Sequence, residues 1–261
     1  MNIDIILRIY PELKEEWMKI DEHEPWQIME GSELMRISNV INSFKYLDEN
    51  ITKNLTLLDL GCECGLYSMM ATQKFKKVIG IDNDEVSIKR ALKTKDIFIK
   101  NGYDVSNFEA KHLSFEEYSI NPIYQQEKEN MNAKKGHIQD AIWNGHKYSD
   151  LTLNSIFHED GINVILASEI LHLFDDNTMN IFNKILENIE LIMIQSKFKE
   201  KNQWEWDKSE YAQSPATQIK KWNSYENYAM DEIVKYLKNN NFNNIEIHPT
   251  DSNCGVVIGA I

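Results

Sequence analysis

Leu58-Asp59-Leu60-Gly61-Cys62-Glu63-Cys64-Gly65 is the stretch on which the fold of this 261-residue chain turns. It completes an apolar run, Thr56–Leu60, that reads as a buried strand, and precedes Leu66 to Phe75, which reads as a helix. Glycine at 61 and 65 suits a backbone that bends sharply or lies against a ligand with no side chain between them. A helix starting there points its first amides at whatever occupies the bend. Lys77–Asp82 is a second strand, and Asp82 ends it twenty-one residues after Gly61. A carboxylate at that place can accept hydrogen bonds from both hydroxyls of a ribose.

A nicotinamide dinucleotide would want the same acid, so the glycines decide. The dinucleotide fingerprint needs glycine at three offsets; here these are positions 61, 63 and 66, occupied by Gly, Glu and Leu. Glu63 beside a pyrophosphate would add repulsion. The bend reads as a site for a nucleoside cofactor that lacks phosphate.

Working outward, Glu85 to Asn101 is a long helix stopped by Gly102, and Asn107–Lys111 a short third strand. Asn163–Ala167 and Leu191–Gln195 are further strands, and Asp176 to Asn188 and Asp231 to Asn240 are helices. Ile245–His248 and Gly255–Ile261 are joined by the turn-rich Pro249–Cys254, too short a link for a parallel crossover, so they form a hairpin. The expected class is α/β, a Rossmann-like, seven-stranded, mostly parallel sheet with an antiparallel terminal strand. Residues 1–50 are a helical leader, and 51–261 the α/β domain with insertions at 116–162 and 198–228. All six tryptophans (Trp17, Trp26, Trp143, Trp204, Trp206, Trp222) lie in these three segments and none in the βα core. Long connections at the carboxyl ends of strands tend to carry function, so the segments are expected to form a substrate lid.

The chain holds 28 Lys and Arg against 41 Asp and Glu, a net charge of −13, which disfavours a dedicated nucleic-acid binder. No apolar run approaches the roughly 20 residues of a membrane helix, and Met1 to Trp17 does not read as a signal peptide. Three cysteines (Cys62, Cys64, Cys254) are too few for a disulfide framework, so a cytoplasmic setting is expected. Cys62 and Cys64 have no further Cys or His nearby and make a poor zinc site; they read as small loop fillers, and no metal is expected.

Together these residues resemble the class I S-adenosylmethionine-dependent methyltransferases, over about residues 34–115 and 163–261. The family's first motif, Asp-x-Gly-x-Gly-x-Gly, matches Asp59, Gly61 and Gly65, with Glu63 in place of the middle glycine. Its second acid matches Asp82 in Val78-Ile79-Gly80-Ile81-Asp82. The resemblance implies that Asp59 and the turn amides hold the methionine end of S-adenosylmethionine, with Asp82 on the ribose and Asn83 flanking the adenine. Phe108-Glu109-Ala110-Lys111-His112-Leu113 resembles the segment that reads the adenine edge, a role this assigns to Glu109 and Ala110.

Asn163 to Phe174 resembles the family's fourth-strand segment, in which many relatives carry a histidine where this chain has Leu173; His172 is the shifted candidate for a base. Histidine, with an unperturbed pKa of about 6.5, suits removal of a proton from an acceptor hydroxyl. Packing at a helix start is the competing reading of His172. Glu169 is a candidate for substrate binding or for capping local amides, and Ser168 for a backbone contact near the cofactor. Asp175 and Asp176 read as a helix cap in preference to metal ligands. The aromatic segment from Phe198 to Tyr228 suits a small polar acceptor, such as the hydroxyl of a sugar or nucleotide-linked sugar, although the same rings can simply pack a lid. A tRNA or other macromolecular acceptor, and a non-catalytic cofactor-binding regulator, are the alternatives.

Overall fold

The computed structural model describes residues 3–25, 27, 31–119, 155–168, 170, 176–197, 230–249 and 254–261. Seven strands form one sheet: β1 (Thr56–Leu60), β2 (Lys77–Asp82), β3 (Phe108–His112), β4 (Ile162–Ser168), β5 (Leu191–Lys197), β6 (Asn244–Pro249) and β7 (Cys254–Ala260). Their order is β3-β2-β1-β4-β5-β7-β6. The β1–β2, β1–β4, β2–β3 and β4–β5 pairs are parallel, and β7 runs antiparallel to both of its neighbours. The expected sheet and its reversed hairpin are therefore present. All five residues of β1 are buried, as a central strand covered on both faces requires.

The strands alternate their side chains between two apolar layers. Leu57, Val78, Val164, Leu166 and Met193 face one layer; Leu58, Ile79, Ile165, Ala167 and Ile192 face the other. The first layer is covered by α1 (Ile3–Ile20), α2 (Gly31–Ser43), α4 (Leu66–Ala71) and α5 (Glu85–Lys100), with α3 (Glu49–Thr52) leading into β1. The second is covered by α6 (Phe115–Ser119), α7 (Ser155–Asp160), α8 (Asp176–Leu186) and α9 (Met230–Asn239). Among the described residues no helix is long and apolar enough to cross a membrane.

Two expectations change on contact with the structure. Trp17 is a core residue, fully buried, and its indole N–H donates to Thr94 Oγ1 of α5 at 2.9 Å. Ile6, Ile9, Leu13 and Trp17 recur at helical spacing along α1 and give it one apolar face, so the leader shares the core of the sheet. The other five tryptophans lie outside the described residues. The 116–162 insertion is also not all lid: Tyr118 and Phe157, at its two ends, are buried. Tyr118 Oη donates to Asp160 Oδ2 at 2.7 Å, and Asp160 also pairs with Lys77 at 2.9 Å and Lys111 at 2.6 Å. Asp160, with Tyr118 bonded to it, thus ties both ends of the insertion to β2 and β3. The helix expected to reach Phe75 ends at Ala71, where the Thr72 hydroxyl bonds back to the Met69 carbonyl at 2.6 Å and the next amides turn to Ala71.

Arg90, on α5 and 5% exposed, anchors the exit from α1. Its guanidinium donates to the carbonyls of Trp17 (3.4 Å), Asp21 (3.1 Å) and His23. Arg90→Ala takes this donor from all three carbonyls, that of Trp17 keeping the Asp21 amide at 3.2 Å, and is expected to cost about 2–3 kcal/mol. Urea unfolding checks this as a lower midpoint at unchanged slope; an unmoved midpoint would show that the clamp contributes nothing.

Candidate functional site

The 61–65 bend lies at the carboxyl end of β1, between the ends of β2 and β4. Its shape comes from three left-handed residues, Gly61 (φ 65°), Glu63 (φ 46°) and Gly65 (φ 76°). Glycine adopts such angles freely, whereas a side-chain-bearing residue costs about 1–2 kcal/mol there. Position 61 also lies under the Ile170 side chain: a Cβ would lie 2.4 Å from its Cδ1, which would have to move. Gly80 does the same on β2, where a Cβ would lie 2.8 Å from both Cβ and Sγ of Cys62. Cys62 and Cys64 are wholly buried fillers, and burial pushes both thiols well above their ordinary range. Among the described residues no group of His, Cys, Asp and Glu could hold a metal ion.

Every backbone amide from Cys62 to Leu66 has an acceptor within the protein. Cys62 donates to the Ile81 carbonyl (3.0 Å) and Gly65 to the Cys62 carbonyl (2.8 Å). Glu63 donates to Asp82 Oδ2 (3.0 Å), Cys64 to Glu63 Oε2 (3.2 Å) and Leu66 to Gln27 Oε1 (3.0 Å). The turn amides expected to meet the ligand are thus already occupied, two of them by carboxylates, two by backbone carbonyls and one by a side-chain amide oxygen. An anionic ligand finds no unused donor at these five residues.

Asp59 sits beneath the bend, 1% exposed. Its Oδ2 accepts from Ser68 Oγ at 2.6 Å, while Oδ1 is buried with no hydrogen-bond partner. Burial, opposed by the Ser68 bond and reinforced by the charge of Asp82, raises its pKa from the ordinary 3.8 to about 7. Asp82 is at the expected tip of β2. Its Oδ1 accepts from the Asp84 amide at 2.9 Å and its Oδ2 from Glu63, which still leaves lone pairs for a ligand. Desolvation raises its pKa too, against the pull of those two amides. Asn83 follows it, exposed, its carbonyl 3.1 Å from His112 Nε2.

The structure brings Asp59, Gly61, Glu63, Gly65, Asp82 and Asn83 together, but not Glu109 and Ala110. These two lie opposite Ile79 and Gly80, and the residue opposite Asp82 is His112. β3 runs on through His112, so the strand end that borders the crevice lies three residues beyond Glu109. The Glu109 carboxylate instead pairs with Lys77 (3.1 Å) and Lys111 (3.6 Å). Ser168, at the end of β4, donates its hydroxyl to Gln195 Oε1 on β5; Gln195 is 1% exposed and its Nε2 has no partner. His172 and Glu169 lie outside the described residues, as does the whole aromatic segment from Phe198 to Tyr228. Sequence reading missed Gln27, Ser68 and Gln195. Ser68 was legible as the polar residue that α4 turns toward Asp59; nothing local marks the two glutamines.

No family model matches the chain. It is 30% identical over 125 residues to a 23S rRNA (uracil(1939)-C(5))-methyltransferase of Francisella tularensis subsp. novicida, a match to 44% of this chain. The chain spans only 27% of that relative's length. Among solved structures it is similar to a SAM-dependent methyltransferase from Aquifex aeolicus (TM-score 0.50, 14% identity, covering 94% of this chain and 98% of the other). It is also similar to the magnesium protoporphyrin IX methyltransferase of Synechocystis PCC 6803 with bound SAM (TM-score 0.51, 11% identity, covering 100% and 97%). The chain has the class I methyltransferase fold.

The raised pKa of Asp59 has a definite sign. The folded state holds this proton more tightly than the unfolded chain, so stability from this group is lost as pH rises from about 4 to about 7. Asp59→Asn keeps an acceptor for Ser68 and removes the titration. Its stability relative to the unsubstituted protein should therefore grow between pH 5 and pH 7 and then level off. Denaturant unfolding across that range reads the difference; a gap that does not change with pH would refute the buried, proton-binding Asp59.

Proposed function

We propose that this chain is an S-adenosylmethionine-dependent methyltransferase acting on a small polar acceptor, such as the hydroxyl of a sugar or nucleotide-linked sugar. The observation that carries the reading is Asp59 Oδ1, a buried carboxylate oxygen without a partner, under a bend whose amides from Cys62 to Leu66 are occupied. Asp59, Glu63 and Asp82 make the bend a place for a cation, and a pyrophosphate would meet carboxylates in place of donors. A cofactor bearing an ammonium and a sulfonium meets both conditions. When bound, it supplies a methyl group activated for in-line displacement.

In this reading Asp59 accepts from the ammonium and Asp82 from the ribose hydroxyls. His112, Leu113 and Ser114, at the end of β3 beside Asp82, border the base in place of Glu109 and Ala110. His172 takes the proton of the acceptor hydroxyl, Glu169 orients that acceptor, and Ser168 lies near the cofactor with Gln195 behind it.

The partial similarity to a 23S rRNA methyltransferase favours a second reading, an RNA acceptor. The net charge of −13 weighs against it. The two readings part on salt: acceptor binding that falls steeply between 50 and 200 mM salt, by about 10³-fold or more, would identify RNA.

Calorimetry with S-adenosylmethionine tests the main reading. Binding is expected with release of a proton near pH 6.5, seen as a dependence of the heat on the buffer's ionisation enthalpy, because a cation favours ionised Asp59. NAD should not bind. Asp82→Ala should weaken binding roughly 10–100-fold. His172→Ala should leave binding alone and lower release of S-adenosylhomocysteine with a hydroxyl acceptor by about 10²-fold or more. A protein that ignores S-adenosylmethionine at millimolar concentration would end the proposal.

A further inference from the structure

The leader does more than cover the sheet. After Arg90 fixes residues 17–23, the chain runs to Gln27, which is 8% exposed and inserted into the bend. Four hydrogen bonds tie it there. Its backbone amide donates to Glu63 Oε2 at 3.0 Å, and its Nε2 donates to the Cys62 carbonyl at 3.2 Å. Its Oε1 accepts from the Leu66 amide at 3.0 Å and from Cys64 Sγ at 3.4 Å. Gln27 thus touches the residues on both sides of Glu63 as well as Glu63 itself. Glu63 is the one residue of the bend with a side chain at a left-handed angle.

The geometry points to Gln27 as a positioning residue that holds the bend in its ligand-binding shape and compensates for Glu63 standing where glycine would need no help. The bend strains toward another conformation at Glu63. Gln27 opposes this by bonding the carbonyl before Glu63 and the amide at the start of α4. The same carboxylate oxygen receives the Gln27 amide, the Cys64 amide and the Cys64 thiol. Docking of Gln27 and ordering of the bend are then one equilibrium. By linkage, a ligand that favours the ordered bend also holds Gln27 in place. Gln27 acts through its contacts with Cys62, Glu63, Cys64 and Leu66.

This rests on the S-adenosylmethionine reading for its ligand but not for its structural half, so the test has two arms. Gln27→Met keeps the side-chain volume and removes its polar atoms; Glu63→Gly removes the strain. In hydrogen exchange without ligand, Gln27→Met should raise the exchange of the Cys64 and Leu66 amides about tenfold or more, with the strands of the sheet unchanged. In the Glu63→Gly background the same substitution should raise it less than threefold. In titrations with S-adenosylhomocysteine, Gln27→Met should weaken binding about tenfold, and by less than threefold when it is added to Glu63→Gly. Unchanged exchange at Cys64 and Leu66, or equal effects of Gln27→Met in both backgrounds, overturns the proposal. Failure of the unsubstituted protein to bind S-adenosylhomocysteine, with the exchange pattern as expected, overturns the cofactor reading and leaves the positioning role standing.

Discussion

The bend between β1 and α4 is held by hydrogen bonds that run inward. Its five consecutive amides from Cys62 to Leu66 each meet an acceptor of the protein, and three of those acceptors are the side chains of Asp82, Glu63 and Gln27. Buried donors must be satisfied in this way when no ligand is present. Here the satisfaction brings a distinctive electrostatic character, because two of the three acceptors are carboxylates. A phosphate-binding turn keeps its amides pointed outward and its surroundings basic. This one does the reverse, and the unpartnered oxygen of Asp59 beneath it continues the pattern.

Much of the remaining architecture serves that arrangement. The parallel β2–β1–β4 register places Asp82, the bend and Ser168 at the same edge of the sheet. Gly80 lets Cys62 seat against β2, and Gly61 leaves room for the Ile170 side chain over the bend. The leader helices complete one face of the core, and Arg90 delivers their continuation to Gln27. Removing any of these would be felt at the bend through packing, since the interior leaves little room for adjustment.

The alternating apolar runs made the seven strands and the reversed hairpin readable, as burial on both faces demands of central strands. Asp59, Gly61, Gly65 and Asp82 were readable for a related reason, because they lie at or next to the end of a strand or the start of a helix, where local spacing fixes the place. The extent of β3 was readable to within one residue, but the adenine role of Glu109 and Ala110 came from resemblance, which does not fix register: pairing with β2 sets them opposite Ile79 and Gly80, with His112 opposite Asp82. Trp17 was assigned to a covering segment because its partner, Thr94, is 77 residues away and no local pattern joins them.

The amino-acid order by itself determined the α/β class, the strand that carries Asp59, the bend after it and the acid at the tip of β2. Periodicity and glycine placement are local properties, legible within a window of about ten residues. Tertiary structure alone decided that the bend's amides face acceptors of the protein, that Glu63 turns inward, and that Gln27 reaches across 39 residues of sequence to Leu66. Hydrogen-bond partners and buried charge are set by what folding brings within about 3 Å, and sequence spacing does not encode that distance.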